Sequence, residues 1–250
     1  MTKIDGVTTT TAAFIGKTEQ GPTIPQVVSS WIEFQNTFGA FTSDSFLPHA
    51  VNGFFINGGQ RCFIARTIEA SDYESQLDAL KAIDEISIVN IPNAASDIAK
   101  VLIAQCETLK NRFAIVDSER GSDFRSLNPR NHFGSSRFAA LYYPWIRITD
   151  PLTGNPKIVP PGGFVAGIYV RNDLQYGVHK APANQVVQGA LDLASQLNQD
   201  DEKILTSQGV NAIRKFPERG ILVWGARTLS TESELNYVNV RRLFSYIEQS

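Results

Sequence analysis

Ile86-Ser87-Ile88-Val89, a helical stretch in which Ile98, Val101, Leu102, Cys106 and Leu109 recur, and Phe113-Ala114-Ile115-Val116-Asp117 follow one another directly. The apolar spacing of the middle piece is that of a helix, which Asn93 can cap, and the flanking runs read as short buried strands. Strand, helix and strand in about thirty residues make a βαβ unit, which favours parallel strands and a right-handed crossover. Working outward, Arg61 to Arg66 alternates like a strand, and Phe138 to Tyr143 reads as a third buried one. Thr8 to Gly16, ending in Ala12-Ala13-Phe14-Ile15-Gly16, is a further buried strand. Val210 to Phe216 and Gly220 to Trp224 are joined through Pro217-Glu218-Arg219 as a hairpin. The expected fold class is α/β, an α+β mixed sheet flanked by helices, with residues 1–250 as a single domain.

Helices are placed by their stop and start residues. Ser30-Trp31-Ile32-Glu33 is a capping box, and Gly39 closes that short helix. A second runs from about Ser45 to Ile56, with Pro48 in its first turn and Asn57-Gly58-Gly59 ending it. Ser71-Asp72-Tyr73-Glu74 reads as another capping box, opening a helix to about Ile83. Pro160-Pro161-Gly162-Gly163 introduces a helix over roughly Phe164 to Leu174, and Asp200 to Ser207 a short one. Gly121 to Ser136 is expected as a surface loop, and Asp150 to Pro156 as a turn cluster. Val240, Leu243, Phe244 and Ile247 share one face of a last helix, which the pattern turns toward the core. That helix meets no stop signal before Ser250, so the C-terminus reads as cut.

Composition narrows the function classes. Of 250 residues, 42% are hydrophobic and 19% charged, which fits a folded protein and not a disordered one. A net charge of −2 gives no reason to expect nucleic acid or a polybasic membrane contact. No window of about 18 apolar residues suggests a membrane span, and the N-terminus lacks a signal pattern. The two cysteines, Cys62 and Cys106, have neither zinc nor redox spacing and read as buried small hydrophobes in a reducing cytoplasm.

No constellation has the form of a catalytic centre, a metal site or a cofactor loop. Asp117 ends a strand, with Glu119 and Asp123 nearby; strand-end carboxylates can serve chemistry or simply be solvated. The histidines His49, His132 and His179 lie in unrelated contexts, without a G-x-S-x-G elbow. The glycine pairs Gly58-Gly59 and Gly162-Gly163 do not fit a nucleotide loop. Arg227, after Trp224-Gly225-Ala226, can fix its loop or a neighbouring subunit. Arg241 and Arg242 read as a solvated polar face or as a docking surface for an acidic partner.

The order of motifs resembles the contractile phage tail sheath protein family, which includes the sheaths of phage-tail-like injection systems and R-type bacteriocins. The resemblance rests on Ala13 to Gly16 with Gly21-Pro22, Trp31 to Gly39, Phe54 to Gly59, Tyr142 to Trp145, Asp150-Pro151 and Pro160 to Tyr169. It continues through Gly177 to Asn184, Val223 to Leu229 and Val238 to Phe244. Ile4 to Val7 matches the segment that follows an N-terminal arm in the family. That arm, and a C-terminal subdomain and arm, are expected to be missing here.

The resemblance implies a structural subunit, not an enzyme. Such a subunit polymerises helically around an inner tube and contracts to drive the tube through a cell envelope, delivering genome or effector. Implied partners are other sheath subunits, the inner tail tube protein, and baseplate and tail terminator proteins, without nucleic acid, membrane or cofactor. Assembly would occur in the bacterial cytoplasm, and the product would reside in a virion tail or phage-tail-like particle. Arg227, Arg241 and Arg242 are the residues expected at a subunit or tube interface. Two other readings stay open: a non-polymerising tail adaptor or cap, and a small α/β enzyme using Asp117 or the Asp173–His179 neighbourhood.

Overall fold

The computed structural model describes residues 7–250 except Ser233 and Leu235. The Ile4 to Val7 motif therefore lies outside the described residues, apart from Val7. Six strands run parallel, side by side: β3 (Arg61–Thr67), β1 (Thr11–Lys17), β4 (Ile88–Asn90), β5 (Phe113–Asp117), β6 (Ala139–Tyr143) and β11 (Val210–Phe216). Antiparallel strands extend both ends: β2 (Gln26–Val28) beside β3, and β12 (Gly220–Val223) then β9 (Gln185–Val186) beyond β11. The sequence order of the parallel strands, with β1 inside the sheet, means that the β1-to-β3 crossover passes on one face and the β3-to-β4 and β4-to-β5 crossovers on the other.

Side-chain alternation in β1 shows the result. Ala12 and Phe14 enter one core, and Ala13 and Ile15 the other. Both sets are fully buried, as expected for a strand covered on two faces. The first face carries α1 (Trp31–Phe38), α2 (Leu47–Ile56) and α6 (Gly162–Tyr176). The second carries α3 (Tyr73–Leu80), α4 (Ser96–Leu109) and α7 (Gln199–Ser207). Cys62 and Cys106 are both free and buried, one in each core. A small antiparallel sheet of β10 (Asp192–Leu193), β7 (Ile146–Thr149) and β8 (Pro156–Val159) closes the first face.

The α2–α6 crossing depends on glycine. A Cβ on Gly167 would lie 2.3 Å from the Phe54 carbonyl oxygen, and one on Gly163 would lie 2.4 Å from the Ala50 Cα. Two helix backbones can meet this closely only where no side chain intervenes. Asn57, fully buried at the end of α2, then ties the crossing to the sheet edge. Its Nδ2 donates to Gly53 O and Gln188 O, and the Gln188 amide donates back to Oδ1.

Several sequence expectations need correction. Ser30 caps α1 as expected, accepting from the Glu33 amide, and Glu33 accepts from Ser29. At the third helix, however, the reciprocal cap is formed by Glu69 and Asp72 around a 3-10 turn, Ala70–Asp72, and α3 begins only at Tyr73. Asp72 succeeds because its carboxylate accepts the Ile68 and Glu69 amides at 2.8 and 3.0 Å. Asn93 does not cap α4. It takes a positive φ of 56° and points its amide at Asp117, leaving Ala95 as the N-cap. The 121–136 segment contains a short helix, α5 (Pro129–Phe133).

Candidate functional site

Two places could carry function: the crevice at the carboxyl ends of the parallel strands, and the surface formed by the last helix and its neighbours. The crevice holds about 570 Å³ and is lined by Asn93, Asp117, Ser118, Glu119 and His132 among others. Asp117 is 7% exposed and is engaged on both oxygens. Oδ1 accepts the Gly162 amide at 2.7 Å, and Oδ2 accepts the Asn93 amide at 3.2 Å and the Asn90 amide group at 3.4 Å. Burial pushes this carboxyl up to about 6 against the pull of those donors. Asp117 thus pins the start of α6 and the 91–95 turn to the end of β5.

The histidines do not converge. His49 is buried against Phe41 and 3.8 Å from Asp150, and burial lowers it to about 4. His132 lines the crevice and is exposed. His179 is exposed, and its carbonyl accepts from Asn239. Asp173, which an enzymatic reading would pair with His179, is instead committed to Arg242. Among the described residues, no group of three or more His, Cys, Asp or Glu side chains is placed to hold a metal ion.

The last helix, α8 (Val238–Gln249), overturns the expectation for its faces. Arg241 and Arg242 are 4% and 5% exposed, whereas Phe244 and Ile247 are 47% and 60% exposed. The charged pair faces inward and much of the apolar stripe faces water. Arg242 donates to Asp173 Oδ1 at 3.0 Å and Oδ2 at 2.7 Å, reaches Thr9 O at 2.7 Å, and lies 5.0 Å over the Tyr169 ring. The Tyr169 hydroxyl in turn meets that of Tyr142 at 2.6 Å. Arg241 bonds Ser245 and Glu248 within α8 and lies 4.7 Å from the Phe138 ring centre. Neither guanidinium forms a solvated face, because each has its partners inside the chain.

Arg227 is half-buried. Its amide donates to Asn211 Oδ1 at 2.6 Å, and its guanidinium lies 5.0 Å over the Tyr237 ring. Asn211, wholly buried, also donates to Leu141 O and Arg227 O, so it locks β6, β11 and the loop after β12 together. The feature that sequence reading missed is the outward apolar face of α8. A signal was available: Asp173 is the one acid in a helix that is apolar and buried from Gly162 to Val170, and an acid buried with it needs a cation.

A family model described as the phage tail sheath protein central domain matches residues 66–229. The chain belongs to the phage tail sheath family. It is 27% identical to the sheath of an extracellular contractile injection system, the PVC sheath complex in the contracted state. That match has a TM-score of 0.85 and covers 98% of this chain and 68% of the other. Against the helical sheath of the anti-feeding prophage in the contracted state, identity is 27% and TM-score 0.84, covering 98% and 69%. A tail sheath protein of Burkholderia phage BcepMu is 29% identical over 125 residues, 46% of this chain and 26% of that protein. The sheath chain described here spans only 26% to 38% of the length of such curated relatives. Its fold is the mixed α/β core of these sheaths, and the family's role is structural.

Proposed function

We propose that this sheath core is a subunit that polymerises helically around an inner tube and shortens to drive the tube through a target envelope. The observation that carries this reading is the likeness, over 98% of the chain, to subunits of two sheaths in the contracted state. The outward apolar face of α8 supports it, since exposed Phe244 and Ile247 suit a protein–protein contact better than a free surface. The six parallel strands of the large sheet share two cores, which supports one domain moving as a near-rigid body.

Head-to-tail contacts that do not close generate a helix. A gain of a few kcal/mol per subunit in the shortened packing, summed along the sleeve, does the work. The partners would be other sheath subunits, the inner tail tube, and baseplate and terminator proteins. Assembly would take place in the bacterial cytoplasm. Arg227 remains the arginine with a half-exposed guanidinium suited to such a contact, while Arg241 and Arg242 would act by holding α8 in place. Electron microscopy of the full-length gene product tests the proposal. Hollow striated sleeves support it, and particles that never polymerise favour an adaptor or cap.

A further inference from the structure

The hairpin of β11 and β12 carries a guanidinium, that of Arg219, without an ion-pair partner among the described residues. Phe216 and Trp224 are half-buried with ring centres 4.7 Å apart, and Arg219 lies 5.6 and 5.9 Å from them. Its Nη2 is held by Asn184 Oδ1. The other hairpin cations are neutralised: Arg214 by Glu202 at 2.6 Å and Lys215 by Asp192 at 3.1 Å. Among the described residues, Arg219 has no ion-paired carboxylate. A guanidinium held beside aromatic rings keeps several N–H donors available for a carboxylate. Tryptophan beside arginine is also the composition that dominates binding at interfaces.

The chain carries the complementary surface at the other end of the sheet. Residues 69–85 hold six acids, Glu69, Asp72, Glu74, Asp78, Asp84 and Glu85, against the single cation Lys81. This segment contains α3, which packs on β3 and β1. In the sheet order, β12 lies six strands from β3, about 29 Å away at ordinary strand spacing. Glu74 and Asp78 are exposed there; Asp78 is paired with Lys81 and Glu85 with Arg61, which leaves the segment acidic in balance.

We infer that the Arg219 edge of the β11–β12 hairpin docks on the acidic α3 surface of a second copy of this chain. Opposite charges on opposite edges give a heterologous contact, which leaves a free edge on each copy for the next one. This deepens the sheath reading and rests on it.

The test uses the full chain with charge reversals on each side. Arg219→Glu makes the hairpin repel α3, and Glu74→Lys with Asp78→Lys makes α3 repel the hairpin. In analytical ultracentrifugation at low salt, the wild type should gain mass with concentration and lose it at about 0.5 M NaCl. Each variant, checked by its melting curve for folding, should associate at least about tenfold more weakly. Mixing the two variants should restore association, because each hairpin then meets an α3 of opposite sign. A folding defect could not produce that rescue. A wild type that stays monomeric, unaffected variants or a mixture without rescue would overturn the contact. Full-length protein that still forms sleeves with either reversal alone would overturn it while leaving the sheath reading intact.

Discussion

Arg242 and Asp173 meet through two parallel N–H···O bonds, 3.0 and 2.7 Å long, with side chains 4% and 1% exposed. A bidentate pair at this depth is costly to bury and more costly to break, because either partner alone is an uncompensated charge. Arg242→Ala should therefore destabilise the chain by about 3–5 kcal/mol. The double change Arg242→Met with Asp173→Leu should cost clearly less than either charge deletion alone. Urea denaturation of the three variants decides this, and equal losses in all would show that packing, not charge, dominates.

Gly167 should not accept even a methyl group. Its added Cβ would stand 2.3 Å from a backbone carbonyl, which cannot swing aside as a side chain could. Gly167→Ala should lower stability by about 1–3 kcal/mol through forced separation of α2 and α6. A thermal melt unchanged within error would contradict the tight crossing.

Acid should act on two buried groups in opposite directions. Asp117 rises from 3.8 to about 6 in the fold, so its contribution is fully present below 3.8 and is lost as pH climbs through 6. His49 falls from 6.5 to about 4, so its contribution is present above 6.5 and is lost as pH drops through 4. Each shift is worth on the order of 3 kcal/mol, and between pH 4 and 6 they offset each other. Asp117→Asn should make stability fall on acidification across that window, and His49→Gln should make it rise. Denaturation midpoints at several pH values read out both signs, and parallel profiles for the two variants would refute the assignment.

Cys62 and Cys106 should resist thiol reagents in the folded chain. Both are fully buried, and burial pushes the Cys106 thiol up to about 12, so little thiolate is available. Labelling with a chromogenic disulfide should proceed only at the rate of unfolding, and with both thiols together. Rapid labelling of either one under native conditions would contradict the core placement.

Phe244 and Ile247 should matter to assembly and little to folding. Phe244→Ser with Ile247→Ser should leave the melting temperature nearly unchanged, since exposed sites usually shift stability by no more than about 0.5 kcal/mol. Incorporation into sleeves should fall sharply in the full-length protein. A large loss of monomer stability, without an assembly defect, would show that the face is not an interface.

The sequence made the parallel sheet legible because strands buried on two faces read as continuous apolar runs, and β4, α4 and β5 stand side by side. Motif order made the family legible. Short strands such as β2, β9 and β10, two or three residues long, carry too few side chains to show a period. The faces of α8 were misread for a different reason. The 3.6-residue rule assumes that an apolar stripe seeks its own chain's core, and here a carboxylate 69 positions away claims the opposite face. The histidines and Asp117 were readable as residues, yet only three-dimensional packing shows that Asp117 is a backbone tie and that Asp173 belongs to Arg242.

The knot at Arg242 joins three otherwise separate parts: the lead-in to the first strand at Thr9, the last turn of the long inner helix, and the terminal helix. A load applied to the outer side of α8 is thus shared at once between a strand end and a buried rod. An element that exposes Phe244 and Ile247 is tethered through a buried ion pair, so lifting it from the core would mean stranding both charges.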